Sequence, residues 1–143
     1  MPAYLEDMLR NGAKRRRIQR LSPTGQLYTS VTYKNEVHGI VPVLAKLLDQ
    51  DTNVARAWLC DSRVQHVFKQ SGEGGFCGYR NCQMMLSYIL NSKWPGSQEV
   101  TRAMGVHHTE PEPGIPGILM LQDWIEHAWD RGYNARCRIE TVR

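Results

Sequence analysis

The sequence predicts an α+β chain dominated by helices, and three observations carry that reading. Behind Pro42, the apolar residues Val41, Leu44, Leu47 and Leu48 recur at helical spacing up to Asp49. A glycine-rich run from Ser71 to Gly78 opens onto Met84, Met85, Tyr88 and Ile89, which share one helical face as far as about Asn91. Pro116 then opens a third stripe of Ile118, Leu121, Ile125, Ala128 and Trp129, closed by Gly132 as a C-terminal glycine. The β contribution is smaller: Val54–Cys60 alternates imperfectly and reads as a short strand or an irregular buried stretch.

Ahead of these elements lie residues 1–36. Tyr4–Arg10 can form a turn or two of helix, after which Lys14, Arg15, Arg16, Arg17 and Arg20 crowd together and Ser22-Pro23-Thr24-Gly25 interrupts regular structure. Like charges repel, so residues 1–36 are predicted to be a flexible, disordered basic tail, with residues 37–143 forming one domain. Residues 1–36 hold seven lysines and arginines against three acids, whereas residues 37–143 are balanced at eleven against eleven. The overall charge of +4 therefore belongs to the tail, and a nucleic-acid-binding domain would need a basic face on its folded part. The tail reads as a nuclear localisation signal, as a weak phosphate-binding patch, or simply as a solvated charge run. Contacts with nucleic acid are expected to be no more than weak ones made by this tail.

Composition excludes several classes. With 41% hydrophobic and 22% charged residues, the chain is not collagen-like, mucin-like or wholly disordered. The longest near-apolar run, Gly39–Leu48, is about half a membrane span and contains Lys46, so no transmembrane helix and no membrane partner are expected. No apolar stretch follows the N-terminal basic cluster, so no secretory signal is expected. The four cysteines, Cys60, Cys77, Cys82 and Cys137, form no C-x-x-C pair. They are too sparse for a disulfide framework, which points to a reducing intracellular compartment, nucleus and/or cytoplasm.

The chemistry concentrates in Gly74-Gly75-Phe76-Cys77-Gly78-Tyr79-Arg80-Asn81-Cys82-Gln83-Met84. This is a glycine loop, then a cysteine, then a helix start. A helix N-terminus favours the thiolate, and its free N–H groups can donate to an oxyanion formed beside the sulfur. Flanking glycines let a substrate backbone approach closely. Cys77 is thus a candidate acyl-transfer nucleophile, against the alternative of a small buried hydrophobe at a helix start. Cys82, deeper in the helix, and Cys60, after Trp58 and Leu59, are expected in the core.

The run Gly75–Ser87 resembles the nucleophile segment of the ubiquitin-fold-modifier-specific protease and zinc-finger-containing ubiquitin peptidase family. The pattern there is Gly-Trp-Gly-Cys-Gly-Tyr-Arg-Asn, a variable residue, then Gln-Met. A second block agrees: Gly114-Ile115-Pro116-Gly117-Ile118, followed by Gln122, Trp124-Ile125-Glu126, Ala128-Trp129 and Gly132-Tyr133-Asn134. It is similar to the family's Ile-Pro-x-Ile helix ending in Ala-Trp-x-x-Gly. Phe76, where a glycine is usual, resembles the filamentous-fungal branch.

The resemblance implies the N-terminal, mainly helical half of a papain-like cysteine peptidase domain. It implies hydrolysis of the bond after the C-terminal glycine of ubiquitin, polyubiquitin or a ubiquitin-like modifier, with Cys77 as nucleophile and no cofactor. Gln65 or His66 would fill the place of an oxyanion-supporting polar residue ahead of the cysteine. Asp123, Glu126 and Asp130 offer a landing site for a basic modifier tail. The family's catalytic histidine and aspartate lie on strands after the second helix. No segment here matches those strands, so an incomplete, C-terminally truncated domain is expected, and with it a binder or a truncated product as the alternative to an active peptidase. His107-His108 lacks a third ligand, so no metal site is expected, and His127 reads as a surface residue. The two helices are expected to bury Met84, Met85, Tyr88 and Ile89 against Leu121, Ile125, Ala128 and Trp129.

Overall fold

The computed structural model describes residues 1–12, 15–33, 35–92, 94–103 and 115–141. In chain order these form α1 (Ala3–Gly12), β1 (Arg15–Leu21), β2 (Leu27–Tyr33), β3 (Glu36–Val37), α2 (Ile40–Gln50), β4 (His66–Val67), α3 (Cys77–Asn91), α4 (Ser97–Ala103), α5 (Ile118–Asp130) and α6 (Ala135–Thr141). The architecture is α+β, with two small antiparallel sheets, β1–β2 and β3–β4, attached to a helical body.

The three helices expected from periodicity are present as α2, α3 and α5. Gly132 follows the C-cap of α5 with φ of 85°, and its N–H donates to the Trp129 carbonyl, closing the last turn as a glycine in the left-handed region can. Three expectations are corrected. Val54–Cys60, read as a short strand or an irregular buried stretch, is irregular but mostly exposed. Residues 15–33 are not an unstructured tail, because a β-hairpin occupies them, whereas α1 falls on Tyr4–Arg10, where a short helix is expected. The reason lies in Leu27-Tyr28-Thr29-Ser30-Val31-Thr32-Tyr33, a β-prone strand that supplies a partner for the arginine-rich one. Its register runs from Arg15 opposite Tyr33 to Leu21 opposite Leu27. The loop between them is closed by Ser22, whose N–H donates to the Gln26 carbonyl and whose Oγ accepts the Gln26 N–H.

The third correction concerns the core. Helix α3 is the hub: β4, α4 and α5 pack on it, and α1 and α6 pack on α5. The buried face of α3 is polar, made of Arg80, Gln83 and Ser87. Met85 is 67% exposed and Tyr88 is exposed, so the methionine-rich face is not turned onto α5 as expected. A polar face can be buried only when its groups find partners, and Arg80, Gln83 and Ser87 all have them. Among the described residues the apolar core is small: Leu9, Val67, Ile115, Ile118 and Leu121. No residue of α2 is buried, and Val43, Leu44 and Leu47 face solvent. Cys60 and Cys82, expected in the core, are both exposed. No helix among the described residues is long and apolar enough to cross a membrane.

Candidate active site

The site is assembled by the loop that precedes α3. Gly72 and Gly74 take φ of 80° and 75°, a region open to glycine at little cost, and the chain between them turns Glu73 inward. Glu73 is fully buried, and Arg80, one turn into α3, meets it in a forked ion pair: Nε donates to Oε1 at 2.8 Å and Nη2 to Oε2 at 2.7 Å. The remaining guanidinium nitrogen, Nη1, donates to Gln83 Oε1 at 2.8 Å. Gln83 Nε2 in turn donates to the Pro116 carbonyl at 2.7 Å, just ahead of α5. Burial pushes the Glu73 carboxyl up, but the Arg80 guanidinium and the Gln70 N–H outweigh it and hold the group below its ordinary range. One chain of polar contacts thus fastens the glycine loop to α3 and α3 to the start of α5.

Cys77 is the first residue of α3 and is exposed. The N-cap residue, Phe76, makes no side-chain capping bond. The first intrahelical bond runs from the Arg80 N–H to the Phe76 carbonyl, so the Cys77, Gly78 and Tyr79 N–H groups precede the helical ladder. Those donors sit beside the thiol, where an oxyanion would form. The thiol itself donates only a long contact to the Gly75 carbonyl, at 4.0 Å. No imidazole among the described residues is hydrogen-bonded to it. The His127 ring contacts the Asp123 carbonyl of its own helix at 2.8 Å, and His107-His108 lie outside the described residues.

The Gln65 N–H donates to Ser87 Oγ at 2.9 Å. Ser87 is ten residues along α3 from Cys77, roughly 15 Å of helix. A glutamine side chain does not span that distance, so Gln65 is not placed to support an oxyanion. His66 sits in β4, paired with Val37, and is exposed. The segment then runs back toward the site, where the Gln70 N–H donates to Glu73 Oε2 at 2.9 Å. The Gln70 side-chain Nε2 is buried and has no partner among the described residues. A buried amide donor with nothing to donate to is rare. Sequence reasoning missed Gln70, and the only signal was its position a few residues ahead of the loop.

The three acids of α5 are exposed. Arg138 of α6 takes two of them, through Nη1 to Asp130 and Nη2 to Glu126 at 3.6 Å. Asp123 makes no ion pair among the described residues. A basic ligand would therefore compete with Arg138 for most of this patch. On the outward face of α3, Asn81, Met84, Met85, Tyr88 and Ile89 face Cys60, Asp61 and Val64 across an apolar groove of about 680 Å³. Asn81 lies one turn from Cys77, so the groove begins next to the thiol. Arg63 stacks 4.9 Å over the Tyr88 ring while forked onto Asp61, whose carboxyl is held down to about 2 by the Arg63 hydrogen bonds.

Comparison with known proteins agrees with this arrangement. The model of peptidase family C78 matches residues 53–142. The zinc finger-containing ubiquitin peptidase 1 of Mus musculus is 35% identical over 103 residues, which cover 71% of this chain and 16% of that protein. Its counterparts in Homo sapiens and Macaca fascicularis are 33% and 34% identical over the same lengths. The chain thus spans about one-sixth of the length of the curated relatives it matches. No solved structure gives a significant match. The family match begins well before the glycine loop and runs through both helices that the Arg80–Gln83 contacts join, and the chain belongs to peptidase family C78.

Proposed function

We propose that this chain carries the nucleophile of a cysteine peptidase acting on the bond after the C-terminal glycine of ubiquitin or a related modifier. The observation that carries the reading is an exposed Cys77 at the first position of α3, with uncapped N–H groups around it. The substrate class comes from the relatives, which are named ubiquitin peptidases. The Cys77 thiolate attacks the glycine carbonyl carbon and forms a C–S bond, while the carbonyl oxygen becomes an oxyanion. The first-turn N–H groups receive that charge. The C–N bond then breaks as the leaving amine takes a proton from a general acid, and water splits the thioester to return the thiol.

The second half of that sequence needs a base, which none of the described histidines presents to Cys77. This favours a second reading for the chain by itself: it binds the modifier and is captured at Cys77, but turns substrate over poorly. The two readings separate in one experiment. A ubiquitin with a C-terminal electrophile requires only the thiolate, whereas a fluorogenic ubiquitin amide requires the acid and base as well. The expected result is slow capture, abolished by Cys77→Ala, with little or no turnover. Robust turnover lost in Cys77→Ala would place a base within these residues, with His66, His107 and His108 the first to replace. Absence of both capture and turnover would remove the nucleophile reading.

A further inference from the structure

The β1–β2 hairpin is not used by the site. Its two strands pack mainly on each other, so it stands as an arm on the helical body. Between Asp7 and Glu36 the chain has no acidic residue, and beyond Arg10 of α1 it holds Lys14, Arg15, Arg16, Arg17, Arg20 and Lys34. Alternation along β1 puts positions 15 and 17 on one face of the ribbon and positions 16 and 20 on the other. Arg17 and Arg20 are exposed. At the loop end, Leu21 and Leu27 pair across the strands and are 71% and 62% exposed.

We propose that this hairpin is a DNA-binding arm that enters the major groove of a B-form duplex edge-on and neutralises phosphates on both walls. Dimensions and charge support the fit. A ribbon is about 10 Å thick with its side chains, and the major groove is about 12 Å wide. Strands of seven residues span roughly 24 Å, the rise of about seven base pairs. A membrane surface meets only one face of a ribbon, and it would leave one of Arg17 and Arg20, which lie on opposite faces, turned away from the lipid. The guanidinium fork also suits phosphate better than an ammonium does.

The test is fluorescence anisotropy of the whole chain with a labelled 24-base-pair DNA duplex across a salt series. About four neutralised phosphates predict a slope of log K against log salt near −3.6, a loss of roughly 150-fold between 50 and 200 mM. Replacing the four β1 arginines together (Arg15→Ala, Arg16→Ala, Arg17→Ala, Arg20→Ala) should weaken binding about 100-fold at 50 mM salt. The corresponding four-lysine variant should bind within about tenfold of the parent, because it keeps the charge but loses the fork. Unchanged iodoacetamide labelling of Cys77 in both variants shows that the helical body stays folded. The proposal is overturned if the parent does not bind the duplex, or if the alanine variant binds as well as the parent. It is equally overturned if A-form RNA, whose major groove is too narrow, binds as tightly, or if phosphatidylserine vesicles bind more tightly than DNA at matched salt.

Discussion

Glu73 and Arg80 form a buried, two-pronged ion pair that joins a loop to the first turn of the helix it precedes, with contacts of 2.7 and 2.8 Å. Neither residue touches the Cys77 thiol. Their pairing nevertheless fixes the path of Gly74, Gly75 and Phe76, and so where α3 begins and where the first-turn donors lie. Gln83 extends the same restraint to Pro116. The geometry of the nucleophile is therefore held by polar contacts, with few buried apolar side chains among the described residues.

Removing one partner leaves the other as an uncompensated buried charge. Arg80→Ala should destabilise the fold by about 3–5 kcal/mol, read from urea unfolding followed by tryptophan fluorescence. Replacing both partners with methionine should recover most of that loss, since no unpaired charge remains. A change within 0.5 kcal/mol for Arg80→Ala would show that the pair is not closed in solution.

The pair also sets an acid limit. The Glu73 carboxyl is held below its ordinary value, so the folded state binds fewer protons there than the unfolded chain. Its contribution is fully present above the unfolded value of about 4.5 and is lost as pH falls through the lowered folded value. Unfolding free energy measured from pH 6 to pH 2 should fall in that window. In Glu73→Gln the acid limb should flatten on top of a lower plateau. An identical slope in both proteins would assign the acid limb to other carboxylates.

Exposure alone does not distinguish the cysteines, since Cys60, Cys77 and Cys82 are all exposed. The helix N-terminus does: Cys77 begins α3, Cys82 lies within it and Cys60 lies in an irregular segment. Iodoacetamide should modify Cys77 about tenfold faster than either of the others at pH 7, as resolved by peptide mass spectrometry. Equal rates at all three would show that the helix start confers no reactivity.

An exposed side chain of α3 and a buried one of α5 should respond differently to substitution. Met85→Glu touches an open surface and should change stability by less than about 0.5 kcal/mol. Ile118→Ala, at a side chain 2% exposed, should cost about 2–4 kcal/mol through lost burial and the cavity left behind. A large loss for Met85→Glu would restore the apolar packing of α3 expected from its periodicity.

The amino-acid sequence by itself determined what depends on near neighbours. The apolar spacing behind Pro42 and Pro116, the glycine after α5, and the glycine loop that delivers Cys77 to a helix start all act within a few residues, and all are found where local rules place them. Tertiary structure decided which face of each helix has something to pack against. The apolar stripe of α3 was legible, yet the buried face is Arg80, Gln83 and Ser87. Periodicity measures how apolar a face is and not whether its opposite face can be satisfied by Glu73, by the Gln65 N–H and by the Pro116 carbonyl 33 residues away. The same distinction separates the expected tail from the hairpin. A strand's partner across a loop depends on how separated parts of the chain meet, where burial and hydrogen bonding outweigh local preference.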